Sequence, residues 1–156
     1  MLKNAWSRWL LISVIVLVLD VYTKHLIQQA FQYGEHLQVS SFFDLVRYHN
    51  EGAAFSFLAT EGGWQRFFFS AIAFIASVVI IYLLRKNSEQ KLFCLALALV
   101  LGGALGNLYD RLTLGYVVDF LFFHIDQYYW PAFNLADSAI TGGVALLLLD
   151  GFKKPQ

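Results

Sequence analysis

The chain has 156 residues, enough for one compact domain, which we place over residues 1–156. It is 58% hydrophobic and only 14% charged, against about 25% in an average soluble domain, so a water-soluble fold of this size could not bury its apolar surface. The formal net charge of zero provides no basic field for nucleic acid, and the single cysteine, Cys94, cannot form an internal disulfide and is expected to be a small buried apolar residue. The composition therefore indicates a membrane protein.

Four apolar stretches follow one another along the chain, each of about 18 residues, close to the length that a helix needs to cross a bilayer. The first is preceded by basic residues, as a signal peptide would be, but no small-residue cleavage site follows, so we interpret it as an uncleaved span. In the third, Gly102 and Gly106 have the spacing of closely packed membrane helices and are expected to face another helix. The predicted spans are residues 9–26, 67–84, 92–109 and 135–152.

Basic residues predict the orientation of these spans. Seven of the eleven lysines and arginines fall in segments that share one side if there are four spans, and cytoplasmic loops carry such an excess. Both termini are therefore expected in the cytoplasm, and nine of the eleven acidic residues, all but Glu89 and Asp150, on the outer side. The seven basic residues are Lys3, Arg8, Arg85, Lys86, Lys91, Lys153 and Lys154.

Two outer loops, residues 27–66 and 110–134, connect the spans on that side. Partial alternation of apolar and polar residues between His36 and His49 predicts a small antiparallel sheet in the first loop. Residues 53–58 are interpreted as a short helix along the interface, and the aromatic rings of the second loop favour the level of the lipid headgroups. The predicted fold class is membrane all-α, with four transmembrane helices, a small extracytoplasmic antiparallel β-sheet and a short interfacial helix.

Charged residues inside predicted spans are candidates for function, because a charge at the bilayer centre costs about 2.5–3.5 kcal/mol on insertion scales. Asp20 and Lys24 are four residues apart and lie on one helix face. They form either a local ion pair whose lysine reaches outward, or a brace for a site between helices. Asn107 and Arg111 end the third span. Arg111 either bonds the last carbonyls of its helix or acts with Asn107 to hold a substrate backbone or other carboxylates.

Two further acids come from the second outer loop and the start of the fourth span. Asp119 follows a predicted turn at Gly115 in a β-like stretch, and its apolar neighbours argue against a simply solvated loop aspartate. Asn134 suits a helix N-cap and Asp137 the third helical position, so a capping box is the structural alternative for this acid.

A pair of carboxylates has a specific chemical use, because close like charges cannot both ionise cheaply and the pair shares one proton. The ionised member can activate a water, while the neutral member hydrogen-bonds the carbonyl of an amide. The spacing of Asp119 and Asp137 leaves open whether they meet. Other chemistries fit less well, since the sequence has no nucleophile-elbow motif and its histidines lack zinc-ligand spacing, so we expect no metal and no cofactor. The histidines are His25, His36, His49 and His124.

Five blocks of sequence resemble, in the same order, the motifs of the lipoprotein signal peptidases, also called signal peptidase II. Each block alone is a weak signal, but together they extend over most of the chain, and its length and four spans fit the same family. The blocks are Asp20-Val-Tyr-Thr-Lys24, Asn50-Glu-Gly-Ala-Ala-Phe55, Gly102-Gly-Ala-Leu-Gly-Asn-Leu-Tyr-Asp-Arg111, Gly115-Tyr-Val-Val-Asp-Phe120 and Phe133-Asn-Leu-Ala-Asp-Ser138.

The resemblance implies an aspartic endopeptidase of the bacterial cytoplasmic membrane, with its active site at the outer face. Its substrate would be a diacylglyceryl-modified prolipoprotein, cut just before the lipidated cysteine of the lipobox. By the matching motifs, Asp119 and Asp137 would be the catalytic pair. The resemblance also implies membrane phospholipid as a partner and the cyclic peptide globomycin as an inhibitor, and we expect a monomer. Supporting or substrate-contacting positions would be Asp20, Lys24, Asn50, Gly52, Asn107, Arg111 and Asn134.

Two other classes of function compete with a peptidase. A proton- or ion-coupled carrier would also use intramembrane carboxylates, although the acids cluster toward one side of the spans. A non-catalytic assembly factor of the membrane would tolerate changes of these acids to amides.

Overall fold

A computed structural model describes residues 6–52 and 63–153 of the chain. Four long helices account for most of it, and each is long and apolar enough to cross a membrane, as the sequence predicted. The helices extend past the predicted spans by up to four residues, because a helix continues through the polar residues at which an apolar run stops. Their bounds are Ser7–Ala30 for α1, Trp64–Lys86 for α2, Lys91–Thr113 for α3 and Leu135–Lys153 for α4.

Helix α3 lies at the centre and packs against the other three helices. Small residues allow this close approach. A methyl group at Gly102 would lie 2.6 Å from Cβ of Val16 and 2.7 Å from the carbonyl oxygen of Ser13, and one at Gly106 would strike the carboxylate of Asp20. Both glycines therefore face α1, which confirms the prediction that they face another helix.

An apolar cluster fills the half of the bundle around the N-terminal part of α3. Cys94 is fully buried in it, as expected of a small apolar residue. The cluster, called the apolar cluster below, consists of Trp9, Ile80, Leu84, Cys94, Leu97, Ala98 and Leu101.

A four-stranded antiparallel sheet lies at the other end of the bundle, with strand order β1-β2-β3-β4. The predicted sheet is confirmed, and the second loop, in which the stretch around Asp119 has a β-like composition, supplies half of its strands. The strands are His36–Gln38 for β1, Phe43–Asn50 for β2, Val117–Ile125 for β3 and Tyr128–Tyr129 for β4. The predicted short helix over residues 53–58 lies outside the described residues.

The pairing of β2 with β3 joins the two loops. It runs from Phe43 opposite Phe123 to Asn50 opposite Val117, with a register shift between Leu45 and Tyr48. Asn50, at the end of β2, is thereby brought beside the beginning of β3.

The sheet is fastened to the end of α1. Ile27 and Phe31 are buried against Val118 and Phe120 of β3. The guanidinium of Arg47 donates hydrogen bonds to the carbonyl oxygens of Gln28 and Phe31, at 3.2 and 2.8 Å, and so satisfies acceptors that a helix end leaves free. The helix ends that meet the sheet are called the sheet end of the bundle below.

Candidate active site

Asp119 lies in β3 and is only 3% exposed, so a solvated loop aspartate is excluded. Gly115, with a φ of 89°, turns the chain from the end of α3 into this strand. Each carboxylate oxygen of Asp119 accepts a hydrogen bond from an asparagine amide. Asn134 Nδ2 donates to Oδ1 at 2.8 Å, and Asn50 Nδ2 donates to Oδ2 at 3.0 Å. The acid is therefore held from β2 and from the start of α4 at the same time.

The environment of Asp119 favours its protonated form. Burial, followed by the nearby charge of Asp137, raises the pKa of Asp119 to about 7. The hydrogen bonds from Asn50 and Asn134 and the charge of Lys24 act in the opposite direction and only partly offset this rise.

Asp137 forms a reciprocal capping box with Asn134 at the start of α4. The Asp137 N–H donates to Asn134 Oδ1 at 2.9 Å, and the Asn134 N–H donates to Asp137 Oδ2 at 3.3 Å. The predicted capping box is therefore confirmed. It is not the only bonding of this carboxylate, because Oδ1 also accepts a hydrogen bond from Asn107 Nδ2 at 2.8 Å. Both acids thus share Asn134 as a bonding partner.

Lys24 is buried beneath the two acids and is 1% exposed, so the alternative of an outward-reaching lysine is wrong. Its ammonium lies 2.7 Å from Asp20 Oδ2, as the four-residue spacing predicted, and donates to Asn107 Oδ1 at 2.9 Å. Asp20 also crosses to α4, where its Oδ1 accepts the Ala136 N–H at 2.8 Å. The pair is therefore a brace between helices.

Arg111 lines a cavity of about 480 Å³ beside the acids. Its Nη1 donates to the Asn107 carbonyl oxygen at 3.3 Å, so the predicted contact with the carbonyls of its own helix exists. The guanidinium also lies 5.4 Å from the ring centre of Phe69, and its buried Nε has no hydrogen-bond partner among residues 6–52 and 63–153. Asp137 lines the same cavity, together with Asn50, Gly52, Phe69, Trp130, Pro131, Ala132, Phe133, Ser138 and Thr141.

Gly52 shapes one wall of this cavity. Its φ of 108° suits glycine, and a methyl group there would lie 2.7 Å from the Phe69 ring. Its N–H donates to Asn50 Oδ1 at 2.9 Å, which orients the amide that holds Asp119. All nine predicted site residues thus belong to one connected region at the sheet end.

Sequence reasoning missed two residues of this region. Phe69 contacts both Gly52 and Arg111, but an aromatic residue in an apolar span carries no signal of its own. Asp110 is buried, lies 3.1 Å from the Lys24 ammonium, and accepts the Val118 N–H at 3.1 Å. Its signal was available, since it follows Asn107 by three residues and therefore lies near it on the helix surface.

The histidines have other contacts. His36 and His124 lie 3.5 and 3.2 Å from the carboxylate oxygens of Asp44 on the sheet, and His49 stacks on the ring of Tyr116. In the part of the chain that the structure describes, no three His, Cys, Asp or Glu residues are grouped to hold a metal ion.

The fold and site define a multi-pass membrane protein with two acids at the sheet end of its helical bundle. The signal peptidase (SPase) II family matches residues 12–153. The lipoprotein signal peptidase of Paraburkholderia phytofirmans is 55% identical over 152 residues, covering 97% of this chain and 88% of that protein. That of Ralstonia nicotianae is 53% identical over 146 residues, covering 94% and 84%.

Solved structures agree with this relationship. Two structures of bacterial membrane enzymes superpose with TM-scores of 0.84 and 0.83 at 33% and 32% identity, each covering 96% of this chain and 95% and 93% of the other. The chain belongs to the signal peptidase II family.

Proposed function

We propose that this protein is an aspartic endopeptidase that removes the signal peptide from diacylglyceryl-modified prolipoproteins, cutting before the lipidated cysteine. The observation that carries the proposal is the joint binding of Asp119 and Asp137 by Asn134, beside a cavity that Asp137 lines. The membership in the signal peptidase II family supports the substrate class.

The two acids differ in a way that suits them to different roles. Asp137 lies in the first turn of α4, where the helix dipole favours a negative charge. Asp119, with its raised pKa of about 7, is suited to be the neutral partner. Asp137 is therefore the base that activates water, and Asp119 is the acid that hydrogen-bonds the scissile carbonyl.

The proton balance of the reaction closes on these two groups. Asp137 takes a proton from water as the oxygen attacks the carbonyl carbon, and Asp119 gives its proton to the carbonyl oxygen, which yields a neutral tetrahedral diol. Asp137 then protonates the amide nitrogen while Asp119 recovers a proton from the diol. The C–N bond breaks, and both acids return to their starting states.

The cavity beside the acids is the proposed seat of the scissile segment. Its apolar walls, which include Phe69 and Phe133, suit a lipid-bearing peptide. The Nε of Arg111, which no described residue hydrogen-bonds, offers a donor for a substrate carbonyl. Following the bias of the basic residues, we place both termini in the cytoplasm and the sheet end at the outer face of a bacterial cytoplasmic membrane. Globomycin is expected to inhibit cleavage.

The test is cleavage of a diacylglyceryl-modified precursor by purified variants in detergent. Asp119→Asn and Asp137→Asn are each expected to abolish turnover while the protein remains folded and monodisperse, because an amide can neither take nor give the required proton. Asp126→Asn is the matched control, since this acid is exposed in the turn after β3 and undergoes the same chemical change. Normal turnover by either dyad variant would reject the assignment.

A further inference from the structure

Two buried carboxylates flank the ammonium of Lys24, one from its own helix and one from a neighbouring helix. Asp20 Oδ2 of α1 lies 2.7 Å from Nζ, and Asp110 Oδ2 of α3 lies 3.1 Å from it. All three side chains are almost completely buried, which removes them from competition with water. A buried charge group of this kind is costly unless each member is bonded, so the remaining partners of the two acids matter.

Each of the two carboxylates also accepts one backbone N–H, and the positions of these groups are informative. Asp20 Oδ1 accepts the Ala136 N–H at 2.8 Å, and Asp110 Oδ2 accepts the Val118 N–H at 3.1 Å. Ala136 immediately precedes Asp137, and Val118 immediately precedes Asp119. Lys24 therefore connects two backbone segments through Asp20 and Asp110. Each segment carries one member of the proposed catalytic pair.

We infer that Asp20, Lys24 and Asp110 form a clamp that sets the separation of Asp119 and Asp137, with Asp110 as a positioning residue of the reaction. The inference rests on the proposed function, because it assigns the clamp its purpose from the two catalytic acids. Neither Asp20 nor Asp110 lines the cavity beside Asp137, so the clamp acts on the groups that hold the two acids and not on the substrate.

The two backbone N–H groups that the clamp binds lie where α4 and β3 begin, so holding them can fix the positions of the two acids. Ala136 is in the first turn of α4, where an N–H has no partner within its own helix. Val118 is at the beginning of β3, just after the chain leaves α3 through Gly115. The side chain of Asn134 also ties the start of β3 to the start of α4, and backbone hydrogen bonds join Phe133 to Phe120 and Leu121. The clamp adds a connection through α1 and α3 to the residues directly before the two acids.

Helix packing is adapted to the same group. A methyl group at Gly106 would strike the Asp20 carboxylate, so a glycine at this position lets α1 approach α3 closely enough for one ammonium to reach both acids. The ammonium also donates to Oδ1 of Asn107, and Nδ2 of the same asparagine donates to Asp137. Lys24 is thus connected to Asp137 by two routes, one through the backbone and one through a side chain.

Small displacements of reacting groups reduce rates strongly, since an error of about 1 Å can cost about 100-fold in turnover. Asp110→Ala is therefore expected to lower kcat about 100-fold while KM for the diacylglyceryl-modified precursor changes less than about threefold. Asp110→Asn keeps an oxygen for the Val118 N–H but loses the ion pair, so it is expected to recover about tenfold of that loss.

The control must separate positioning from a general loss of stability. Leu101→Ala removes packing from the apolar cluster, far along α3 from the acids, and is expected to lower the melting temperature in detergent while retaining kcat. The inference is overturned if Asp110→Ala keeps at least half of the wild-type kcat, or if Leu101→Ala loses as much kcat as Asp110→Ala. Should Asp110→Ala fail to fold, Asp110→Asn decides, and a kcat within twofold of wild type would overturn the clamp.

The two proposals fail in different ways. If Asp119→Asn and Asp137→Asn cleave normally, the proposed function is wrong and the clamp has nothing to position. If both are inactive while Asp110→Ala retains its kcat, the catalytic pair stands and only the clamp is rejected.

Discussion

Toward its N-terminal half, α3 buries Cys94, Leu97 and Leu101 among apolar side chains, whereas its C-terminal end sets Asn107 and Asp110 against charged groups. Both regions are tightly packed, but the forces differ. Dispersion contacts have no preferred direction, so the apolar cluster tolerates changes that keep volume. Hydrogen bonds and ion pairs at the sheet end require particular atoms at particular angles.

This difference leads to different consequences of mutation in the two regions. A change in the apolar half should alter the free energy of unfolding with little effect on turnover. A change at the sheet end should alter turnover first, because the same bonds that stabilise the region also orient the acids. The comparison would be wrong if changes in the apolar half mainly lowered turnover, or if changes at the sheet end altered only the free energy of unfolding.

Apart from changes of the acidic residues themselves, the largest effect on turnover is expected from Asn134→Ala, which removes the amide that both acids share. We expect kcat to fall by about 100-fold, equivalent to about 2.7 kcal/mol, since a buried hydrogen bond to a charged group contributes about 1.5–3 kcal/mol. Steady-state cleavage of the lipid-modified precursor measures this loss. Asn87→Ala is the matched control, because that asparagine bonds the Leu83 carbonyl at the other end of the bundle. Equal losses in the two variants would contradict a special role for Asn134.

The dependence of turnover on pH gives a second test of the sheet end. Asp119 is protonated below its raised pKa of about 7 and ionised above it. Because the proposed reaction needs the neutral form, kcat should fall as pH rises through about 7, approaching about tenfold per unit beyond it. Measuring turnover from pH 5 to 9 tests the sign, and activity that rises across this range would exclude Asp119 as the proton donor. The Leu101→Ala variant should keep the same profile.

The smallest effect on turnover is expected from substitutions of two adjacent glycines in α4, which should act on the stability of the bundle. A methyl group at Gly143 would lie 2.6 Å from Val100 Cγ2 and 2.7 Å from the Ala96 carbonyl oxygen, whereas one at Gly142 would meet nothing within 4 Å. Gly143→Ala should therefore destabilise the bundle by about 1–3 kcal/mol through overpacking. Gly142→Ala should be neutral or stabilise it by up to about 1 kcal/mol through helix propensity. Thermal unfolding in detergent compares the two, and equal shifts would contradict the packing of α3 on α4.

Much of the architecture could be predicted because the bilayer imposes it. A helix must be long and apolar to cross, so composition alone located the four spans to within a few residues at each end. The motif blocks likewise identified all nine site residues that the structure brings together at the sheet end. Their catalytic and supporting roles remain predictions.

Long-range pairing was less accessible from the sequence. Alternation between His36 and His49 predicted strands, but the pairing of Asn50 with Val117 depends on a partner strand beyond two spans and on a register shift that no local pattern encodes. Lys24 left two readings open for a similar reason. Whether a lysine reaches outward or is buried depends on the acceptors that a neighbouring helix offers, and here Asp110 and Asn107 supply them.

The order of the elements along the chain has a consequence for biosynthesis. The two asparagines that hold Asp119 come from positions 50 and 134, on opposite sides of it in the sequence. When the ribosome has completed β3, the carboxylate has only the first of them, and Asp137 has not yet been translated. If Asp119 and Asp137 are the catalytic pair, a nascent chain cannot cleave a peptide bond until α4 has been synthesised and has joined the bundle.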